Sequence, residues 1–322
     1  MTVRAVVAAR PGAPDVLSIT TLPDLVPSSG QVRVSVEFAA ITFRDTMLRS
    51  GRADASTQFP LVPGNGVGGT VDEVGPDVDP AWLGTTVVTA TGGTGGYASS
   101  ALAHLEDLHR VPAGLGVRDA TALLADGRTA VGLADAAAIR VGDRVVVSAA
   151  AGGVGSLLVQ LAARHAASVI ALAGGAPKLR LARELGAAQV VDYRERDWLE
   201  QLDAVAPHGV DVVFDGVGGD LTAALAPRTR SGGRYLPHGA ASGTWGRLDE
   251  HALAARGVTV IPLAAIGRSA AELFELVERA LAFAARGDIR PVVGQVFPLD
   301  QARSAHAAIE ARTTIGKTLL VP

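Results

Sequence analysis

Val145-Val146-Val147-Ser148-Ala149-Ala150-Ala151-Gly152-Gly153-Val154-Gly155-Ser156-Leu157-Leu158-Val159-Gln160-Leu161-Ala162 is the stretch that decides the fold. A β-branched run stops at a glycine cluster and an apolar helical run begins at once. That is the strand, tight turn and helix of a dinucleotide-binding βαβ unit. Glycine lets the backbone approach a pyrophosphate, and the helix amino end presents free N–H groups and a positive dipole to it. Gly152-Gly153-Val154-Gly155 departs from the G-x-G-x-x-G pattern, and a glycine turn by itself fits any α/β fold. A second strand ending near Leu172 completes a unit of the expected length and supports the narrower reading.

The same stretch raises the membrane question, because Val145 to Ala163 lies uncharged between Arg144 and Arg164 and has the length of a span. Gly152, Gly153 and Gly155 would break a spanning helix in its middle, whereas a buried strand and helix of a parallel sheet need the same apolarity. The first twelve residues carry Arg4 and Arg10 but no long apolar core, so they form no signal peptide and the reading is of a cytoplasmic protein.

The 322 residues suffice for two domains, and 48% hydrophobic against 19% charged residues marks an ordinary globular chain. A net charge of -3 offers no basic surface to nucleic acid. The absence of cysteine removes disulfides, thiol nucleophiles and cysteine-based zinc or iron–sulfur sites.

Outward from the glycine loop, the chain changes style twice. Upstream it is β-rich. Val32, Val34, Val36 and Phe38 alternate with Gln31, Arg33, Ser35 and Glu37 as a half-buried strand. Strands are expected at Gly69 to Val74 and Thr85 to Ala90, with a short helix over Phe43 to Arg49 stopped by Gly51. Gly92-Gly93-Thr94-Gly95-Gly96 has no apolar helix after it and reads as a turn. From Val117 a helix runs to Ile139, and strands and helices then alternate. Strands fall at Ser168 to Leu172, Gln189 to Asp192, Val210 to Phe214, Gly233 to Leu236 and Val258 to Ile261. Helices fall at Pro177 to Leu185, Asp197 to Val205 and Leu221 to Ala226. Such alternation predicts a doubly wound parallel sheet of Rossmann type. The tail reads as a helix over Ala270 to Arg286, a strand near Gln295 to Phe297, a helix from Asp300 to Arg312 and a strand at Thr318 to Val321.

NAD sites place an acid at the end of the second strand to hold the ribose hydroxyls. Here Ala171-Leu172-Ala173-Gly174-Gly175 has none, and Lys178 follows, with Arg180 beyond. A missing carboxylate and an added cation suit the 2′-phosphate of NADPH. The plainer reading of Lys178 is an exposed lysine at a helix start.

At this point the chain resembles the zinc-free quinone oxidoreductase and enoyl reductase branch of the medium-chain dehydrogenase/reductase superfamily. The landmarks run in order along nearly the whole length: Thr42-Phe43-Arg44-Asp45, Pro63 to Gly69, Ala149 to Gly155, Val191 to Arg194, Phe214 to Gly218 and Ala311 to Lys317. The resemblance implies a GroES-like, β-rich catalytic domain from residues 1–117 and 268–322. A Rossmann domain of residues 118–267 would lie between them, with NADPH in the cleft. It implies cofactor contacts from Thr42, Phe43, Asp45, Thr46, Thr129, Ala150, Gly152, Gly153, Val154, Gly174, Lys178, Tyr193, Gly216, Val217, His238, Gly239, Ala240, Ala241 and Arg312. Family members often pair as homodimers through Rossmann strands, for which Val258 to Leu263 is the candidate here.

The zinc alcohol dehydrogenases hold their catalytic metal with Cys, His and Cys where this chain has Thr42, Asn65 and Ala125, so no metal ligand set is expected. Thr42 stands where the family has Asn. The tyrosines of related reductases are missing near Met47 and from Arg49 to Ala53, and the polyketide enoyl reductase lysine is missing from His238 to Thr244. The reaction that asks least of the protein is hydride transfer from NADPH to a small-molecule conjugated acceptor, a quinone, enone or enoyl thioester. Thr42, Arg44, Asn65 and Arg128 are the candidate donors to the oxygen that gains charge, with water as proton source. Each has a plainer reading: an Arg44–Asp45 pair, a turn shaped by Asn65, a surface cation at Arg128. Two other classes stay open, an NADPH-binding sensor or structural protein without turnover and a biosynthetic ring reductase or cyclase.

Overall fold

The structure, a computed structural model, describes residues 2–53 and 56–322. The chain opens on a hairpin of β1 (Thr2–Ala8) and β2 (Leu17–Pro23). After β3 (Gln31–Ile41) and the short α1 (Phe43–Ser50) come β4 (Gly66–Val74), β5 (Thr86–Ala90), β6 (Ser100–His104), β7 (Leu108–Arg110) and the long α2 (Val117–Ala137). Strict alternation follows: β8 (Arg144–Ser148), α3 (Gly153–Arg164), β9 (Ser168–Ala173), α4 (Ala176–Glu184), β10 (Gln189–Asp192), α5 (Trp198–Val205), β11 (Val210–Asp215), α6 (Gly219–Leu225), β12 (Thr229–Pro237), α7 (Glu250–Ala255) and β13 (Thr259–Val260). The tail adds α8 (Ala270–Ala285), β14 (Val293–Pro298), α9 (Ala302–Glu310) and β15 (Lys317–Val321). The chain forms two compact units, Met1–Ala125 with Val277–Pro322, and Asp126–Leu276, so both boundaries fall inside helices, α2 and α8.

In the first unit the sheet runs β14-β15-β3-β4-β5-β7, with β6 also on β3. The long β3 gives one side to β4. Its other side takes β6 over Gln31 to Ser35 and β15 over Ala39 to Ile41, so the tail completes the sheet that β3 begins. The alternation along β3 buries Val32, Val34 and Val36 and exposes Ser35 and Glu37. Arg33, read as part of the solvated face, is instead only 8% exposed. It is held by Asp72 at 2.9 Å, Glu73 at 2.6 Å and Asp24 at 3.4 Å, the pairing that a buried guanidinium requires. α1 begins with a capping box: Thr42 Oγ1 accepts from Asp45 N while the Asp45 carboxylate accepts from Thr42 N. It ends at Gly51, whose φ of 76° is left-handed and favours glycine. Arg49, 1% exposed, ties α1 to the Gly12 carbonyl and to Glu310 at the end of α9.

The second unit is a six-stranded parallel sheet in the order β10-β9-β8-β11-β12-β13. From β8 the chain steps outward through β9 and β10, then returns to the other side of β8 and steps outward through β11, β12 and β13. The order therefore reverses between β8 and β11. Open α/β sheets bind ligands beside the carboxyl ends of strands at such a reversal. Val145, Val146 and Val147 are fully buried at the sheet centre, which accounts for the uncharged run in the sequence. Among the described residues no helix is long and apolar enough to cross a membrane. The β12 strand is longer than the sequence suggests, starting at Thr229, and β13 is shorter, two residues at the sheet edge.

Candidate functional site

The residues singled out in the second unit gather at one edge of its sheet. Ala150, Gly152, Gly153 and Val154 follow β8, and Gly174 and Lys178 follow β9. Tyr193 follows β10, Gly216 and Val217 follow β11, and His238 to Ala241 follow β12. The β8–α3 turn is drawn tight. Ala149 takes a φ of 49°, Gly152 N donates to Ala149 O at 2.8 Å, and Ala150 N donates to Leu172 O on β9 at 3.1 Å. A methyl group on Gly155 would collide with the Ala149 carbonyl, so backbone packs against backbone there. Gly152 is the N-cap of α3 and has no side chain to cap the first turn. The leading N–H groups of a twelve-residue helix thus lack a cap from within the loop.

The loop after β11 hangs from one carboxylate. Asp215, fully buried, accepts from Ser148 Oγ at 3.0 Å, Val217 N at 3.0 Å, Gly218 N at 3.1 Å, Thr222 Oγ1 at 2.5 Å and Tyr235 Oη at 2.8 Å. Ser148 Oγ accepts in turn from Gly216 N at 2.9 Å. Burial and, after it, the Asp215 carboxylate push the Tyr235 hydroxyl far above the usual phenol range, so it acts as a fixed donor. From β12, His238 N and Gly239 N donate to Asp215 O, at 2.8 and 3.2 Å. The His238 ring lies over Gly216: a methyl there would come within 2.8 Å of Cε1. Its Nε2 is shielded and has no hydrogen-bond partner, and burial pushes the imidazole down to about 4, so the ring is neutral at physiological pH.

After β9 the strand end carries no acid, but a carboxylate reaches the turn from the next strand. Asp192 accepts from Gly175 N at 2.8 Å and from the Arg194 guanidinium at 3.1 and 3.2 Å. Burial pushes the Asp192 carboxyl up, but Arg194 and the backbone N–H groups outweigh this and hold it below its ordinary value. The guanidinium packs over Gly174 and Gly175 and stays 60% exposed. Arg194 is a cation that the sequence reading passed over, although it directly follows Tyr193. Lys178, half-buried, lies in the first turn of α4 on the same side of the sheet edge. On α2, Thr129 and Arg128 are partly buried, and desolvation pushes the Arg128 guanidinium down from its usual value against the charge of Asp126.

In the first unit Thr42, Phe43, Arg44, Asp45 and Thr46 all lie at the start of α1. Thr42 Oγ1 donates to Asp45 Oδ2 at 2.7 Å, and so does Thr42 N. The Thr42 proton is therefore committed inside the protein, and its oxygen can only accept. Asp45 is 2% exposed; burial pushes its carboxyl up, against the Thr42 donors and the charge of Lys317. Arg44 is exposed and is not the partner of Asp45. Asn65 does shape a turn: its Oδ1 accepts from Gly93 N at 2.5 Å and Thr91 N at 3.2 Å. Arg312 is exposed just beyond α9, with a φ of 56°. Among the described residues no group of three or more His, Asp or Glu side chains is placed to hold a metal ion.

Residues 28–113 match the alcohol dehydrogenase GroES-like domain, and residues 185–320 match a zinc-binding dehydrogenase domain. The chain is 31% identical to a 2-haloacrylate reductase of a Burkholderia species over 99% of each chain. It is 30% identical to the quinone oxidoreductase of Pseudomonas aeruginosa over 97% of each. The crystal structure of Escherichia coli quinone oxidoreductase complexed with NADPH superposes with a TM-score of 0.91 at 29% identity, covering 99% of this chain and all of the other. With the strand-end loops described above and relatives of this likeness along nearly its whole length, the chain belongs to the quinone oxidoreductase branch of the medium-chain dehydrogenase/reductase superfamily.

Proposed function

We propose that the chain is an NADPH-dependent reductase acting on a conjugated carbonyl compound: a quinone, an enone or an enoyl thioester. The observation that carries this reading is the line of loops at the carboxyl ends of β8 to β12, built around the amino end of α3, whose N-cap Gly152 brings no side chain. NADPH, bound there, supplies the hydride. The backbone N–H groups of Gly153 and Val154 would hold the pyrophosphate, and Gly155 keeps that turn tight enough to do so. Lys178 and Arg194 would hold the 2′-phosphate, an assignment supported by the lack of an acid after β9. Gly216, Val217 and the backbone from His238 to Ala241, all anchored through Asp215, give a rigid floor beside the switch point.

The acceptor class is supported by the names of the relatives, one a 2-haloacrylate reductase and one a quinone oxidoreductase. With the Thr42 proton committed to Asp45, the donors left for a developing oxyanion are the amide of Asn65 and the guanidinium groups of Arg44 and Arg128. Proton delivery then falls to water.

The test has two parts. Fluorescence titration of NADPH and NADH should show a preference for NADPH that Lys178→Ala reduces by roughly tenfold while NADH affinity stays unchanged, the size of one charge-assisted hydrogen bond. Equal weakening of both nucleotides, or of neither, sinks the phosphate assignment. Oxidation of NADPH should depend on added quinone, enone or enoyl thioester. Tight NADPH binding without acceptor-dependent oxidation would establish the sensor instead.

A further inference from the structure

Asp126 stands on α2, and its side chain reaches the glycine loop. A methyl group on Gly153 would overlap Asp126 Oδ2 and come within 2.9 Å of Cγ. Gly153 is the first residue of α3, and the N-cap before it, Gly152, brings no side chain of its own. A carboxylate from elsewhere in the unit therefore stands against the amino end of the helix, where the dipole and the leading N–H groups favour negative charge. This is also the ground on which the proposed dinucleotide must place its pyrophosphate. Arg128, two residues on, feels the Asp126 charge, but positions two apart on a helix point to different sides. Nothing in the sequence suggested the juxtaposition, since Asp126 and Gly153 are separated by a helix end and a whole strand.

We propose that Asp126 is an affinity-determining residue of the dinucleotide loop, its carboxylate competing with the pyrophosphate for the amino end of α3. The inference rests on the dinucleotide reading given above and adds to it a built-in antagonist. Two consequences follow from charge alone. Any ligand carrying the pyrophosphate must displace the carboxylate or bind beside it, so the wild-type chain binds NADPH and NADH more weakly than its shape allows. A ligand that carries only the 2′-phosphate end feels little of Asp126.

The experiment is calorimetric titration of wild type, Asp126→Asn and Asp126→Glu with NADPH, NADH and adenosine 2′-monophosphate, with no acceptor present. Asp126→Asn keeps the shape and removes the charge. It should tighten NADPH and NADH alike by roughly tenfold, about 1.4 kcal/mol by the usual conversion, and leave adenosine 2′-monophosphate unchanged. Asp126→Glu, which keeps the charge, should not tighten either dinucleotide. A wild type that binds NADPH as tightly as Asp126→Asn, or more tightly, overturns the inference and leaves the dinucleotide reading standing. Equal tightening of adenosine 2′-monophosphate also overturns it, since that marks a change in the whole unit. If neither protein binds NADPH, the dinucleotide reading itself fails and the inference with it. Should Asp126→Asn fold poorly, Asp126→Ser gives the same comparison.

Discussion

Each unit buries one carboxylate beneath a segment of the candidate site, and the two are satisfied in opposite ways. Asp215 in the second unit gathers donors from β8, the loop after β11, α6 and β12, so four pieces of chain are pinned to one residue. Asp45 in the first unit takes both the hydroxyl and the N–H of Thr42, three positions back, with only a backbone contribution from Gly64 and the charge of Lys317 from farther away. The first is a hub that fixes how loops from distant parts of the sequence meet. The second is a local cap that fixes how one helix begins. Exposure, near zero for both, does not tell them apart; the number of separate chain segments that donate does.

The contrast can be broken most decisively at Asp215. Asp215→Ala strands three hydroxyl groups and two N–H groups in a dry interior, so it should cost about 3–5 kcal/mol in urea unfolding. A loss no greater than that of the matching change at Asp45 would erase the distinction between hub and cap. The next largest effect concerns a buried ring of the first unit. His306 is fully buried, with Nε2 3.0 Å from the Tyr97 hydroxyl. Burial and, secondarily, Arg49 push it down to about 3. Its folded value lies below the unfolded value of about 6.5, so the unfolded chain takes the proton first. Stability is then full above pH 6.5 and falls as pH drops toward 3, by about 2 kcal/mol between pH 6.5 and 4.5. Unfolding midpoints across that range should show the slope, and His306→Gln should flatten it; an unaltered slope would assign the acid sensitivity elsewhere.

Asp45→Ala should cost less than either, about 1–2 kcal/mol, the loss of a capping box with one buried acceptor. Helix α1 should fray while the second unit keeps its amide hydrogen-exchange protection. The smallest effect belongs to a third carboxylate, Asp192, which is part hub and part ion pair. Asp192→Asn should change stability by less than about 1 kcal/mol, since its partner Arg194 is mostly exposed. By freeing that guanidinium it should instead shift the ratio of NADPH to NADH affinity, measured by fluorescence titration, and an unchanged ratio would remove Arg194 from the phosphate end.

What was legible in the sequence follows the same division between local and distant. The parallel strands announce themselves as short β-branched runs, and the helix stop at Gly51 lies where the chain takes a φ of 76°. The hairpin of β1 and β2 went unread because β2 exposes most of its side chains and so carries no alternation. The short strands β6 and β7 owe their pairing to β3 and β5 and hold too few residues for a period. Arg33 looked solvated because its three carboxylate partners lie in other segments. In the site, the glycine loop and Lys178 were visible as local pattern. The commitment of the Thr42 proton, the reach of Arg194 over Gly174 and the approach of Asp126 to Gly153 are contacts between side chains and backbone that no spacing encodes.

The attachment of β15 to β3 gives the protein a timetable. A chain emerges from the ribosome from its first residue to its last, and domains fold as units when their residues are all present. The unit Asp126–Leu276 is continuous and can close as soon as it is out. The other unit cannot, because the edge of β3 from Ala39 to Ile41 waits for Thr318 to Leu320, which are made long after it. Throughout synthesis that edge is an open template for stray strands. A strand made early is therefore completed late, and slow translation beyond Leu276 should be felt as aggregation through the open edge of β3.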